Sequence, residues 1–104
     1  MDLSPIAELP EVKSAVVCDP SGALLDSVRE ADPETAGAVL GYLTSILGGL
    51  GEELGLGPLY RMSVAGAARA TLIVVMVDSI LSAAIEPSSA FPAVEHAVDR
   101  ILQG

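Results

Sequence analysis

Residues 34–54 carry two stripes at helical spacing, and together they constrain the fold more than any other segment does. Ala36, Leu40, Leu43, Leu47, Leu50 and Leu54 recur in steps of four and three, and beside them run Gly37, Gly41, Thr44, Gly48 and Gly51. Such steps return to one face of an α-helix, so the leucine stripe, widened by Val39 and Ile46, reads as a face that buries against a core. The glycine stripe is costly. Gly in a helix interior costs roughly 0.8–1 kcal/mol relative to Ala, so the glycines on this face cost about 3–4 kcal/mol before any contact forms. Close approach of another backbone would offset that cost. A second copy of the same helix is the expected neighbour, since small residues let helices approach and a two-fold axis makes the patch self-complementary. The other reading is a mobile, glycine-rich helix resting loosely on its own sheet.

The flanking segments supply strands. Val12 to Cys18 is valine-rich, and Asp19-Pro20-Ser21-Gly22 is a turn signal with Asp first, Pro second and Gly where a positive φ is needed. A second strand, Ala23 to Arg29, returns antiparallel, and its polarity suits an outer position. Asp32 N-caps the long helix with Pro33 at its first position and Glu34 near its positive end. Gly55, Gly57 and Pro58 close it. Three strands follow at 59–65, 69–77 and 80–86. Alternation at 59–65 implies one covered face, whereas the continuous apolar run 72–77 implies two. The strands at 12–18, 69–77 and 80–86 therefore belong in the middle of a sheet and those at 23–29 and 59–65 at its edges. Asp78-Ser79 reads as a tight hairpin connection.

Helices close both ends. Ser4-Pro5 reads as the cap of a short first helix ending before Pro10, and Ser88-Ser89 as the cap of a last helix ending near Gln103. That helix has Phe91, Val94, Val98, Ile101 and Leu102 inside and Glu95, Asp99 and Arg100 outside. The order α-β-β-α-β-β-β-α makes an α+β fold: a single five-stranded antiparallel sheet with the long central helix on one face and the terminal helices on the other. At 104 residues one domain, 1–104, is expected, with a core of aliphatic side chains because aromatics are only 3%. A mean hydropathy of +0.57 is high for so small a domain and points to apolar surface at a subunit interface.

Charge and motifs exclude several classes. Fourteen acidic and five basic residues give a net charge of −9, which repels nucleic acid and anionic membrane surfaces. Lys13, Arg29, Arg61, Arg69 and Arg100 form no basic run. The lone Cys18 lies in a strand and reads as a buried hydrophobe of a reducing compartment. The first ten residues do not make a signal peptide, and no apolar run is long enough to cross a bilayer, so a soluble, cytoplasmic protein without membrane insertion is expected. His96, the only histidine, falls on the solvent face of the last helix. No metal, cofactor or nucleophile constellation is present, no Gly-rich loop has P-loop spacing, and Glu52-Glu53 and Asp32/Glu34 are acids at helix ends. No cofactor and no catalytic residue of its own are expected.

The element order, with Pro10-Glu11-Val12-Lys13-Ser14-Ala15-Val16-Val17-Cys18-Asp19-Pro20-Ser21-Gly22, then Leu24-Leu25 and later Leu54-Gly55-Leu56-Gly57-Pro58-Leu59, resembles the roadblock family of dynein light chain and GTPase-regulator domains. The resemblance spans nearly the whole chain, with a first helix shorter than the pattern. It implies a dimer in which third strands pair edge to edge and long helices lie together. The interface expected from it and from the glycine stripe comprises Gly37, Gly41, Thr44, Gly48, Gly51, Leu59, Tyr60, Arg61, Met62, Ser63 and Val64. It also implies a non-enzymatic bacterial platform, homodimeric or heterodimeric with another roadblock protein, that binds a Ras-like small GTPase. Some members of the family accelerate GTP hydrolysis by repositioning the GTPase's own switch residues. The alternative from a different class is a small-molecule-sensing or ligand-binding module of similar α+β architecture, against which an aromatic-poor core with few interior polar residues argues.

Overall fold

The computed structural model describes residues 2–103. Short helix α1 (Ser4–Ala7) leads into β1 (Val12–Cys18) and β2 (Leu24–Val28), followed by the long α2 (Pro33–Glu53), the strands β3 (Arg61–Ala65), β4 (Ala70–Val75) and β5 (Ile80–Ile85), a 3-10 turn (Ser88–Ala90) and α3 (Phe91–Gln103). The strands form one antiparallel sheet in the order β2-β1-β5-β4-β3. The polar and alternating strands lie at the edges and the continuous apolar ones inside, as their patterns require.

The two faces of the sheet are covered unequally. Against α1 and α3 lies the main core, where Val17, Leu72, Leu81 and Ile85 meet Leu3, Ile6, Val94 and Val98. On the opposite face the buried cluster is only Cys18, Leu40, Ile73 and Ile80, with Met62 and Val75 packed on it. Leu40 is the only large α2 side chain buried there; Gly37, Gly41, Thr44 and Gly51 are the other buried positions of that helix. Burying one leucine stabilises by about 1.5–3 kcal/mol, which the helix-propensity cost of the glycines roughly cancels. This helix is weakly anchored by its own sheet.

Caps and turns explain where the elements end. Asp32 accepts a hydrogen bond from the Thr35 N–H and caps α2 as expected. At the other end Gly55 has φ +75°, its N–H donates to the Glu52 carbonyl and the Leu56 N–H donates to Gly51, which is the Schellman arrangement. Three expectations need correction. Ser4 is inside α1 rather than its cap, and its N–H donates to Asp2 Oδ1. Ser88-Ser89 cap nothing: they form the 3-10 turn, and the Ser88 hydroxyl donates to the Ala67 carbonyl. The β4–β5 loop is Val77-Asp78, one residue earlier than expected, because the Met76 N–H donates to the Ser79 carbonyl and closes the hairpin there. Val77 is fully exposed, although a β-branched residue carries no turn signal.

Candidate interaction face

The outer side of α2 carries an apolar row from Val39 to the C-cap Leu54. Val39, Tyr42, Leu43, Ile46, Leu50 and Leu54 are exposed, Tyr42 at 72% and Ile46 at 51%. This corrects the reading that the leucine stripe meets the core, since from Leu43 onward its leucines are turned from the sheet or only half-buried. The small residues lie against the sheet instead. The physical reason is the β1–β2 turn. A Cβ on Gly41 would stand 2.7 Å from Gly22 Cα and 2.8 Å from Gly22 N, and one on Gly37 would stand 3.2 Å from the Gly22 carbonyl oxygen. The close neighbour of these two glycines is therefore this chain's own backbone, whereas the sequence reading placed a second helix there.

The remaining stripe positions differ. Thr44 is buried and its hydroxyl is turned back onto the Leu40 and Gly41 carbonyls at 2.9 and 3.1 Å. This internal bonding lets a polar residue lie against the sheet without a partner across it. Gly51 has ordinary clearance, with the Gly57 carbonyl 3.5 Å from a Cβ built on it. At Gly48 a Cβ would meet no heavy atom of the described residues within 4 Å.

At the β3 edge, Leu59 and Tyr60 precede the strand itself, though the Tyr60 carbonyl accepts from the Val75 N–H and so continues the ladder. Met62 and Val64 are opposite Ile73 and Thr71 and share the α2 side of the sheet, Met62 half-buried and Val64 exposed. Ser63 is exposed. No charged side chain, proline or bulge protects this edge along 62–65. The outer residues of α2 and the exposed β3 positions are thus the large unpartnered apolar features of the α2 side. The sequence reading missed the first group; its signal was a helix apolar on more than one side, with Tyr42 and Ile46 about a quarter turn from the leucines.

Arg61 points to the other side. Its guanidinium donates to Glu95 Oε2 at 3.2 Å and to both carboxylate oxygens of Asp99 on α3. Glu95 and Asp99, expected outside, are therefore half-buried against β3. The hydrogen bond from Arg61 holds the Asp99 carboxyl below its ordinary value, and the same bond raises Arg61. A carboxyl depressed in the folded chain contributes stability above its unfolded value, and that contribution disappears as pH falls through the folded one, here below about pH 4. Asp99→Asn is accordingly expected to lower stability at neutral pH and to flatten the acid-side loss; urea unfolding at about pH 7 and about pH 3 measures both. Arg69 pairs with Glu86, and Arg29 is bound to the carbonyls of Ala7, Val12 and Lys13. Along α2 itself the charged residues are Glu34, Glu52 and Glu53, with no base.

Solved structures of other proteins share this architecture. MglB of Myxococcus xanthus aligns over 97% of this chain and 88% of its own with a TM-score of 0.69 at 12% identity. The chain has the roadblock fold. A Roadblock/LC7 domain from Streptomyces avermitilis aligns over 95% of this chain and 92% of its own, with a TM-score of 0.69 at 14% identity. An MglB solved in a tetrameric arrangement aligns over 86% and 71%, with a TM-score of 0.75 at 12% identity. No family model matches the sequence, and no curated protein matches it significantly. Among the described residues no group of His, Cys, Asp and Glu is arranged to hold a metal ion, and no helix is long and apolar enough to cross a membrane.

Proposed function

We propose that this chain acts as a dimeric binding platform, joined across the β3 edge and the outer face of α2, that engages a Ras-like small GTPase and regulates or scaffolds it. The observation that carries the reading is the continuous exposed face of Val39, Tyr42, Leu43, Ile46, Leu50 and Leu54 on a helix anchored by a single leucine. Covering that face would supply the burial that the sheet side does not. The unprotected edge at Met62, Ser63 and Val64, continued by Leu59 and Tyr60, supports backbone pairing with a second copy. Arg61 contributes backbone alone, since its side chain is engaged with α3. Of the glycine stripe, Gly48 remains open to a partner, while Gly37 and Gly41 serve the chain's own turn.

The GTPase follows from the roadblock resemblance of the sequence, and the MglB-like fold supports it. α2 carries no arginine, and Arg61 and Arg69 are held in ion pairs within the chain, so its effect on a GTPase is exerted through shape and positioning. The test titrates Ras-like GTPases of the source organism, loaded with a GTP analogue or GDP, against this protein. Tighter binding in one nucleotide state marks a regulator, and equal binding in both marks a scaffold. If no Ras-like GTPase binds in either state while a small molecule co-purifies with the protein, a ligand-sensing module replaces this reading.

A further inference from the structure

An open depression lies beside the C-terminal half of α2. A groove of about 350 Å³ runs between helix and sheet, with Leu59, Val75 and Ile80 on the sheet side, Thr44 and Gly48 on the helix side and Glu52 at its mouth. Ile80 belongs to the buried cluster of that face and Val75 packs on it, so the floor is apolar. Apart from Glu52 the helix lines the space with small residues only, since Gly48 has no side chain, Ser45 a short one, and the Thr44 hydroxyl is bonded to its own helix. The volume is that of a site for a small number of side chains.

Local preferences are broken twice at this groove. Gly48 is a glycine in a helix interior with nothing crowding it, unlike Gly41, so no packing within the chain requires it. Glu52 lies in the last turn of α2, where the helix dipole is negative and no basic residue is present. Asp19, beside the groove-lining Pro20, and Asp78, in the turn between Val75 and Ile80, add negative charge at the same end of the sheet. Arg61, the base at that end, lies on the opposite face with Glu95 and Asp99.

We propose that this groove docks a short protein segment that presents an aliphatic side chain next to a lysine or arginine. The aliphatic group fills the space left by Gly48 against Leu59, Val75 and Ile80, and the cation meets Glu52 at the helix end. Both costs to the isolated chain are then offset by contact with the occupant. A second copy offers this groove few free cations, since Arg29, Arg61 and Arg69 are already engaged within the chain. The groove shares Gly48 and Leu59 with the proposed dimer surface, so peptide titration and the concentration dependence of the peptide-free protein separate the two readings.

Heteronuclear NMR amide spectra of the full chain test it, with a capped tetrapeptide of two leucines flanked by arginines as the probe and the same peptide flanked by glutamates as the control. Shifts at Ser45, Gly48 and Ile80 are expected with the first and not the second. Glu52→Gln should weaken binding roughly fivefold and reduce its salt dependence. Gly48→Leu should abolish binding with an unchanged circular dichroism spectrum, since the new side chain enters open space. The proposal is overturned by equal binding of the two peptides, by shifts that map elsewhere, or by none at millimolar peptide. Concentration-dependent shifts of the same amides without peptide would assign the groove to a second copy, and a co-purifying small molecule displaced from it would assign it to a ligand; either also overturns it.

Discussion

Ile46→Glu combined with Leu50→Glu is expected to convert the protein into a folded monomer. Ile46 and Leu50 are 51% and 49% exposed in the single chain, so glutamate reaches solvent there and the fold loses little buried contact. In a two-fold dimer through the outer face of α2, the four introduced carboxylates would be desolvated near one another. Like charges set against each other across an interface cost several kcal/mol, which weakens association on the order of a thousandfold or more. Sedimentation velocity across the micromolar range reads the change, and far-UV circular dichroism establishes that the variant is folded. A wild-type protein that sediments as a monomer throughout would remove the dimer; a double variant that still dimerises would move the interface away from α2. The same variant is expected to lose GTPase binding if the bound surface is composite, because a folded monomer retains every intrachain feature and lacks only the second helix.

The second large effect separates two glycines seven residues apart in the same helix. Gly41→Ala places a Cβ 2.7 Å from Gly22 Cα, a backbone atom that no rotamer can move aside. Such overpacking costs typically 1–3 kcal/mol, more than the roughly 0.8–1 kcal/mol that alanine returns in helix propensity. Gly48→Ala meets nothing and keeps the whole propensity gain, so it is expected to stabilise by up to about 1 kcal/mol. Urea denaturation followed by circular dichroism compares the variants directly. Opposite signs are the expected outcome; equal stabilisation by both would mean that the β1–β2 turn does not bear on Gly41. Gly22→Ala tests the contact from its other side and adds strain of its own, because Gly22 holds φ +93° with Ala38 Cα only 3.2 Å from an added Cβ.

Which strands are central, which lie at the edges and where the long helix ends were readable from local pattern, because each of these depends on a few neighbouring residues. Alternation at 59–65 and the continuous run at 72–77 record how many faces of a strand are covered. Asp32 and Gly55 mark helix ends through bonds to residues within one turn. The errors at Ser4, Ser88 and Val77 arose where a distant or non-canonical partner replaced the local one: Asp2 as the acceptor, the Ala67 carbonyl as the target of Ser88, and a hairpin closed by Met76 and Ser79.

The sequence by itself determined that residues 33–53 form a helix with a small side and an apolar side, since both stripes follow from the helical repeat alone. Which side meets the sheet was decided only in three dimensions. An apolar stripe ordinarily turns inward, because burial is worth more than close approach. Here the Asp19–Gly22 turn rises toward the helix until Gly22 leaves no room for a Cβ at Gly41, and only the glycine side can lie against it. That one backbone contact turns Tyr42, Ile46 and Leu50 outward, giving a helix that would otherwise be a core element an exposed apolar face.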